Sequence, residues 1–344
     1  MRVRPVLYGV AQLGALALIL SHCSAPAVDD STDSEDPIYG GSVDSDGTNG
    51  AVVALRIGTG LTAELCSATA IAPNVLLTAR HCVSKSVTKT VVCNAKGESE
   101  NGPHFGDDQK LEDLHVYTGA KPNFSGPVAA AVKNIVRPDT MAVCNQDIAL
   151  LVLDRSLPDV TPMPVRLTRS VGVEETIRSV GYGKSDTGTT GTRIRKTGVV
   201  VRAVGPGLSK SDTALGDHEF EVGLSICHGD SGGPAISQST GAIVGVVSRG
   251  GDCSEDFGHI YVETSGFSDL IDQALSLAGA PPPLPEPPPS AAPASTSKAT
   301  PSSEPRSGGC ALGARTTSPL WGWDLAIAFG AVFGAALRRR RRAG

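Results

Sequence analysis

The residue best placed to do chemistry is Ser231, which stands in the run Cys227-His228-Gly229-Asp230-Ser231-Gly232-Gly233-Pro234. Glycines on both sides of a hydroxyl allow a tight turn and let another molecule approach the backbone N–H groups. A serine in such a turn can act as a nucleophile whose anionic product is held by main-chain donors. The alternative is a glycine-rich surface turn with an incidental serine, and a short motif alone does not separate the two.

A serine nucleophile needs a base, and the base needs an orienting partner. Among the seven histidines, His81 closely follows the apolar run Val75–Thr78. Asp147 opens the apolar run 147–153, where burial of a carboxylate is costly unless it accepts a hydrogen bond. An imidazole N–H would supply that bond. For each residue the alternative is an ordinary surface or capping role in a turn.

The composition predicts short strands and turns that would hold these residues. The chain has 344 residues, 40% of them hydrophobic, with 40 glycines and 24 prolines, which favours turns and strands over long helices. Apolar or alternating runs recur between Gly, Pro, Asn and Asp clusters, a pattern typical of an all-β sandwich or barrel. These runs are Ala51–Ile57, Cys66–Ile71, Val75–Thr78, His115–Thr118, Ala129–Val136, Ile148–Leu153, Gly198–Val204 and Ile243–Val247, and residues 94–113 are predicted to form a polar surface loop.

One helix is predicted near the end of the folded domain. Apolar residues recur from Phe267 to Ala278 at helical spacing, and Gly279, followed by prolines, ends the pattern. The folded domain is therefore expected to end at about residue 278. Residues 279–309 are rich in Pro, Ser and Ala and are predicted to form an extended stalk that cannot pack.

The N-terminal residues are typical of an export signal. Two arginines precede an apolar run over residues 6–20 that is short for a membrane span. Residues 1–27 are predicted to be a cleaved signal peptide, and residues 28–37 an acidic, disordered leader. A lipoprotein box ending at Cys23 is the alternative, although His22 stands where such a box has a small residue. In either case the cysteines of an exported domain can pair.

The C-terminal residues combine a glycine-cysteine motif, an apolar segment and a block of arginines. Gly308-Gly309-Cys310 is followed by an apolar segment at 320–337 and by arginines at 338–342, an arrangement that resembles the sorting tail found on surface proteins of myxobacteria. Residues 310–344 are expected to hold a short membrane segment, with the arginines on the cytoplasmic side and the domain outside. The resemblance implies cleavage near Cys310 and retention at the cell surface. A C-terminal core helix is the alternative.

Composition also argues against several ligand classes. The net charge is −5 at pH 7 although five arginines stand together at 338–342, so the rest of the chain is more acidic still and has no attraction for nucleic acid. No metal or other cofactor is indicated, because the sequence has no His-Glu-x-x-His and no paired Cys-x-x-Cys. Asp44-Ser45-Asp46-Gly47 lacks the later glutamate of a calcium loop and is predicted to be a plain turn.

Three stretches together resemble the trypsin/chymotrypsin family of serine peptidases. They are Thr78-Ala79-Arg80-His81-Cys82, Asp147-Ile148-Ala149-Leu150 and Gly229-Asp230-Ser231-Gly232-Gly233-Pro234, in the order typical of that family. Arg80 replaces the family's alanine, and weaker matches are Ile38-Tyr39-Gly40-Gly41 and Gly181-Tyr182-Gly183. The resemblance covers residues 38–278 and implies an all-β fold of two six-stranded antiparallel β-barrels with a C-terminal helix.

The resemblance implies a role for each of these residues. Ser231 would attack a peptide carbonyl, His81 would take and return its proton, and Asp147 would hold the imidazole tautomer. The N–H groups of Gly229 and Ser231 would form the oxyanion hole. Residues 248–250 would pair with the backbone of a protein or peptide substrate as an added strand.

The cysteines and the start of the domain fit the same resemblance. It implies the bridges Cys66–Cys82 and Cys227–Cys253, which leaves Cys93 with Cys144, although six cysteines allow fifteen pairings. In the family a new amino terminus pairs with the aspartate before the serine, here Ile38 with Asp230. The preceding residues are Glu35-Asp36-Pro37 rather than a basic residue, so either another protease removes the leader or activation differs.

The residues that match the primary specificity pocket depart from trypsin. Ser225 stands where trypsins carry aspartate, so a substrate Lys or Arg would be buried unpaired. An apolar residue of medium or large size is expected before the scissile bond, and Arg249, His228 and His259 leave an acidic preference as the alternative. The pocket residues implied are Ser225, Ile226, Ser248, Arg249 (in place of the family's tryptophan) and Gly250, with Gly258 or His259 on the far side.

The leading hypothesis is an exported, surface-anchored serine endopeptidase. The rival hypothesis is a peptidase-like binding or adhesion module that keeps the fold without turnover. A third is a peptidase that stays dormant until its leader is removed.

Overall fold

The computed structural model describes residues 38, 40–88, 90–186, 188 and 190–290. Within these residues the chain forms seventeen strands and one α-helix: β1 (Ser42–Val43), β2 (Val52–Ile57), β3 (Glu64–Ala72), β4 (Val75–Thr78), β5 (Ser84–Ser86), β6 (Phe105–Asp108), β7 (Leu114–Tyr117), β8 (Val132–Val136), β9 (Ala149–Leu153), β10 (Thr176–Gly181), β11 (Ile194–Val204), β12 (Gly207–Leu208), β13 (Ala214–Leu215), β14 (Glu219–Val222), β15 (Pro234–Ser237), β16 (Ile243–Arg249), β17 (His259–Glu263) and α1 (Ser268–Ala278). Single 3₁₀ turns cover Gly60–Thr62, Arg80–Cys82, Leu111–Asp113 and Ser265–Phe267.

The first barrel is a closed sheet of six antiparallel strands. Its order is β7-β2-β3-β4-β9-β8, and a bridge between His115 and Ala131 joins the two end strands. Strand β9, Ala-Leu-Leu-Val-Leu, is buried along its whole length, because one face fills the barrel while the other is covered by packed neighbours such as α1.

The second barrel is built from the following part of the chain. Its order is β11-β10-β15-β16-β17-β14, closed by the pairing of β14 with β11, and β1 is added on β11. Phe220 and Tyr261 stack in its core with ring centroids 5.3 Å apart. The all-β class and the two six-stranded antiparallel barrels are thus confirmed, and each predicted run coincides with a strand whose ends differ by a few residues.

Helix α1 closes the domain against the first barrel, as the helical spacing predicts. Its buried residues are Ile271, Ala274 and Leu275, and it packs on β9, β4 and β8. Gly279 ends the helix in the left-handed conformation at φ 57°, and its N–H donates to the Leu275 carbonyl, a cap that glycine adopts without steric cost.

The predicted surface loop at 94–113 is partly wrong. It contains β6, which pairs with β5, and a 3₁₀ turn. Phe105 is fully buried with its ring centroid 4.4 Å from the guanidinium carbon of Arg80, and His104 is buried next to it. Phe105 therefore anchors this polar segment through a cation–π interaction with the Arg80 guanidinium.

The first part of the predicted stalk packs against the domain instead of extending from it. The Val165 N–H donates to the Leu284 carbonyl at 3.1 Å, and the Glu286 carboxylate accepts from Arg166 Nε at 2.8 Å and from Thr240 Oγ1 at 2.9 Å. Prolines hold this segment extended, yet its carbonyls still accept hydrogen bonds. The side chain of Arg166 is only 1% exposed, and a buried guanidinium requires a counter-charge. The packed part of the chain therefore extends beyond residue 278.

Replacing Glu286 with glutamine is expected to lower the free energy of unfolding by about 2 kcal/mol, because a buried guanidinium loses one carboxylate partner. The loss stays moderate because Arg166 keeps its two bonds to Glu175, at 2.9 and 2.7 Å. Urea denaturation of the full chain measures the change. The exposed Glu112, changed to glutamine, is the matched control. Equal unfolding midpoints for the two variants would contradict the packed arrangement.

Several predictions for the two ends of the chain fall outside the described residues. They concern the signal peptide, the acidic leader and residues 291–344, which hold the rest of the stalk and the sorting tail. Those assignments stay predictions. In the part of the chain that the structure describes, no helix is long and apolar enough to span a membrane.

Candidate active site

Two strand ends of the first barrel bring His81 and Asp147 together. His81 lies in the 3₁₀ turn after β4, and Asp147 lies two residues before β9. Thr78 of β4 pairs with Ala149 of β9. His81 and Asp147 therefore lie at the same end of these two neighbouring strands. His81 Nδ1 lies 2.8 Å from Asp147 Oδ2, and the His81 backbone N–H donates to Asp147 Oδ1 at 2.9 Å. The carboxylate therefore fixes both the backbone and the ring of the histidine.

The Asp147 carboxylate is fully buried and also receives a bond from the second barrel, where the Ser248 hydroxyl donates to Oδ2 at 2.7 Å. Burial alone would raise the pKa of Asp147, but the charge and hydrogen bonds of His81 outweigh it and hold that pKa below its ordinary value. Burial likewise opposes a charge on His81, yet the Asp147 carboxylate raises the pKa of His81 above its ordinary value. The pair thus combines an ionised acid with a strengthened base.

Ser231 comes from the second barrel, in the turn before β15. Its carbonyl accepts the Ser67 N–H at 2.7 Å and lies 3.6 Å from the Sγ of Cys82. These contacts place the serine turn against the end of the first barrel at which His81 lies. Across the described ranges, no hydrogen bond joins the Ser231 hydroxyl to the His81 ring. In enzymes without substrate this bond is often long. The structure therefore gathers the three predicted residues but forms only the contact between His81 and Asp147.

The glycines of the serine turn are required by close contacts. A Cβ on Gly232 would lie 2.2 Å from Thr78 Oγ1, and a Cβ on Gly229 would lie 2.8 Å from Gly183 Cα. Their φ angles, 79° and 102°, also disfavour side chains. Within the residues that the structure describes, the N–H groups of Gly229 and Ser231 have no hydrogen-bond partner. Two unpaired donors beside a hydroxyl can hold an anionic oxygen.

Three disulfides brace the segments around this site. They join Cys66 to Cys82, Cys93 to Cys144 and Cys227 to Cys253, the pairs expected from the sequence. The second bridge ties the segment before β6 to the residues just before Asp147. The sulfurs of the first bridge lie within 4.8 Å of a ring nitrogen of His81, but disulfide sulfurs offer no thiolate to a metal.

A cavity of about 70 Å³ opens beside Ser231. Of the predicted pocket residues, it is lined by Ile226, Ser248, Arg249 and Gly250. Ser225 and His259 are fully buried outside its lining. Gly258 lines an adjoining cavity of about 440 Å³ that shares Arg249 and Gly250 with the first. Ser225, predicted to form the floor, is absent from the lining of the cavity beside Ser231, and its sequence neighbour Ile226 lines that cavity instead.

Sequence reasoning missed two side chains that shape the site. It assigns Ser248 to the substrate-binding strand and the specificity pocket, and it misses the hydrogen bond from the Ser248 hydroxyl to Asp147. It also leaves out Glu219, which is fully buried in β14 and binds both Nη atoms of Arg249, with Nη2 3.0 Å from Oε2. The available signal was the alternation of carboxylates with apolar residues in Glu219-Phe220-Glu221-Val222, since a carboxylate that is buried with such a strand needs a partner.

Asp230 is a buried carboxylate without a cation. Its Oδ1 accepts the Gly183 N–H at 2.8 Å and its Oδ2 accepts the Cys227 N–H at 2.9 Å. No positively charged group pairs with it among the described residues, and burial raises the pKa of Asp230 to about 7. Ile38, its predicted partner, is 1% exposed, and the Ile38 nitrogen is in the peptide bond to Pro37. The predicted ion pair is therefore not formed in the uncut chain.

The uncut chain is expected to lose stability as the pH rises from about 4 through 7. The folded pKa of Asp230 is about 7 and the ordinary value is 3.8, so the folded state holds an extra proton in this window and loses that advantage as the proton leaves. The full effect is on the order of 4 kcal/mol. Urea denaturation across this pH range measures it.

The Asp230→Asn variant separates this effect from other titrating groups, because it removes the proton exchange at this position. Its stability should change less with pH than that of the wild-type chain. Asp272→Asn, at an exposed position, is the matched control and should follow the wild type. The same pH dependence in all three proteins would contradict the role given to Asp230.

A comparison with protein-family models points to one relationship. The family model described as Trypsin matches residues 38–271, more than half of the chain, and that range holds both barrels and the stretches around His81, Asp147 and Ser231. No curated protein matches the chain at a significant level. Because the matching model spans the whole two-barrel region, the chain belongs to the trypsin family.

Proposed function

We propose that this chain is a serine endopeptidase that hydrolyses internal peptide bonds through an acyl-enzyme. The trypsin family consists of serine peptidases, hydrolases whose substrates are proteins, and this supplies the reaction class. The observation that carries the finer proposal is the fully buried Asp147 carboxylate, 2.8 Å from Nδ1 of a histidine whose side chain is 25% exposed. A buried acid that orients a partly exposed imidazole suits proton transfer at the surface.

In the proposed mechanism, Ser231 Oγ attacks the peptide carbonyl while His81 Nε2 takes its proton. Asp147 accepts the Nδ1–H of His81, so the basic nitrogen is the one that can face Ser231. The Gly229 and Ser231 N–H groups hold the oxyanion, each donor contributing about 3 kcal/mol. His81 then protonates the leaving amine, and a water molecule repeats the sequence to free Ser231.

The substrate backbone is proposed to bind along residues 248–250 as an added strand. The end of β16 has a ladder partner on one side, where Arg249 pairs with Ile260 of β17, and the pairing of β15 with β16 stops at Val246. An edge with free backbone groups next to the Ser231 cavity can align a peptide. The Arg249 side chain forms an ion pair with the Glu219 carboxylate, so its charge is already balanced before a peptide binds.

We further propose that the uncut chain is an exported zymogen. Cleavage before Ile38 would release an α-amino group, and Asp230 is a buried carboxylate that needs such a cation. Three disulfides favour an oxidising compartment, which supports export by residues 1–27. Retention at the cell surface through residues 310–344, or release into the medium, belongs to the same proposal.

Labelling with a fluorophosphonate probe tests the proposed function. The full chain, with an enteropeptidase site in place of residues 33–37, is cut so that it begins at Ile38 and is then treated with the probe. We expect stoichiometric labelling that mass spectrometry maps to Ser231, and Ser170→Ala, an exposed serine elsewhere, should label equally. A folded, processed chain without label on Ser231 would contradict the proposal and favour the silent binding or adhesion module.

A further inference from the structure

The cavity beside Ser231 is too small for a large side chain. Its volume is about 70 Å³, less than half of the roughly 150 Å³ of a protein cavity that binds benzene. A peptide whose carbonyl carbon lies at Ser231 Oγ and whose backbone pairs with residues 248–250 directs one side chain into this cavity. That side chain belongs to the residue before the scissile bond. A methyl or isopropyl group matches the volume, and an aromatic ring does not.

Ile226 forms the floor of this cavity. Its side chain is 5% exposed, and its Cδ1 and Cγ1 lie 3.4 and 3.7 Å from the position that a Cβ on Gly250 would take. The Ile226 side chain thus reaches across the cavity to the wall formed by Gly250. A single methyl group added at Gly250 would already be in van der Waals contact with it. The depth of the cavity is therefore set by Ile226 and not by Ser225.

The basic groups near the cavity are already engaged. His259 Nδ1 accepts the Ile226 N–H at 3.3 Å, and its Nε2 lies 2.8 Å from the Glu255 carbonyl and donates to it. One donating and one accepting nitrogen make this ring neutral, and burial lowers the pKa of His259. Arg249 is neutralised by the fully buried Glu219. Neither group is left to attract an acidic side chain.

The cavity also offers nothing to a basic side chain. Among the described residues that line it there is no aspartate and no glutamate. A lysine or arginine placed there would lose its hydration without gaining a counter-charge. His228, the other basic residue in the lining, is exposed at the rim, where solvent screens its charge. Charged side chains of either sign are therefore excluded by desolvation.

We propose that this peptidase cleaves after small uncharged residues, alanine first, and that Ile226 is the residue that determines this specificity. The proposal rests on the proposed function, since it takes Ser231 as the nucleophile. It replaces the expectation of a medium or large apolar residue, which assumed a deeper pocket with Ser225 at its floor. It also removes the acidic alternative, because Arg249 and His259 are committed to protein partners.

A series of peptides that differ only in the residue before the scissile bond tests the proposal. The processed full chain should cleave the alanine peptide with a kcat/KM at least about 100-fold above those of the leucine, phenylalanine, lysine and glutamate peptides. Ile226→Ala should raise kcat/KM for the leucine peptide about 10- to 100-fold, because the floor is lowered. Ile177→Ala removes the same atoms from a fully buried position in the second barrel and should keep the wild-type order of substrates.

Gly250→Ala gives a second readout that does not depend on the folding of Ile226→Ala. The added methyl group meets Ile226 Cδ1 at 3.4 Å and narrows the cavity, so preference should shift about tenfold from alanine toward glycine. Cleavage after leucine or phenylalanine as the best wild-type reaction would overturn the proposal. An unchanged substrate order in both Ile226→Ala and Gly250→Ala would overturn it as well.

Fluorophosphonate labelling of the same preparations separates the two levels of inference. A chain that is labelled at Ser231 but does not cleave the alanine peptide overturns the small-residue specificity and leaves the nucleophile in place. A folded, processed chain that is not labelled and cleaves no peptide overturns the proposed function itself.

Discussion

The Ser231→Ala variant is expected to hydrolyse peptides about 10⁶-fold more slowly than the wild-type chain in kcat. Without the Ser231 hydroxyl no acyl-enzyme can form, and His81 has no oxygen to activate. The Gly229 N–H and the open strand edge at residues 248–250 remain, so residual activity above that of water is expected from binding and oxyanion stabilisation alone. A fluorogenic peptide with alanine before the scissile bond, followed over long incubations, measures the loss.

Ser170→Ala is the matched control for this prediction, because it makes the same chemical change at an exposed serine. It should keep wild-type kcat and wild-type stability. Ser231→Ala should unfold at nearly the same urea concentration as the wild type, since the Ser67 N–H still donates to the carbonyl of residue 231. A decrease of less than 100-fold in the folded variant would show that another residue is the nucleophile.

The Asp147→Asn variant is expected to lose about 10⁴-fold in kcat at neutral pH. The carboxylate accepts the Nδ1–H of His81 at 2.8 Å on Oδ2, and a carboxamide that turns its NH₂ to this ring would donate instead. Nδ1 would then have to accept, which leaves the proton on Nε2, the nitrogen that must take the proton of Ser231. The geometry would be kept while the tautomer becomes wrong.

The pH profile of kcat/KM distinguishes this role from loss of structure. His81 must be neutral to act as a base, so activity falls as the pH drops through its pKa, which Asp147 holds above the ordinary value. Removing the carboxylate lowers that pKa, so the acid limb of Asp147→Asn should move to lower pH. Ser248→Ala, which keeps the charge and removes one hydrogen bond to Oδ2, should lose about tenfold in activity. Its acid limb should stay near that of the wild type.

An Asp147→Asn variant that loses less than 100-fold, with an acid limb at the wild-type pH, would show that the aspartate is structural. An equal loss in Ser248→Ala and Asp147→Asn would mean that orientation, rather than charge, is the contribution of Asp147.

The residues of the candidate site were largely predictable from the sequence because they stand in local runs. His81 stands beside a cysteine, Asp147 precedes an apolar strand, and Ser231 lies between glycines that close contacts require. Eight of the strands were predictable for a related reason, since an apolar run between turn residues has few other ways to be buried, although the ends of most of these strands differ from the prediction. The other nine strands in the described residues, β6 and β10 among them, were not predicted from such runs.

The parts that escaped prediction depend on contacts between residues far apart in the chain. Glu286 lies in a proline-rich segment whose composition predicts no packing, yet it meets the buried Arg166. Ile226 closes a cavity only because Gly250 leaves the opposite wall bare.

Arg80 illustrates the same limit inside a motif. Its position beside His81 is plain in the sequence, but its complete burial against Phe105 is not. Composition describes the average of a segment, whereas the contacts of Glu286, Ile226 and Arg80 are each made by a single side chain.

Intact-mass spectrometry of the processed chain, quenched in acid during turnover of an alanine-containing peptide ester, tests most directly whether Ser231 carries the reaction. We expect a mass increase equal to that of the acyl group, located on Ser231 by peptide mapping, lost on longer incubation and absent from Ser231→Ala. Continued hydrolysis by the wild-type chain with no acyl adduct on Ser231, or an adduct on a different residue, would contradict the proposed mechanism.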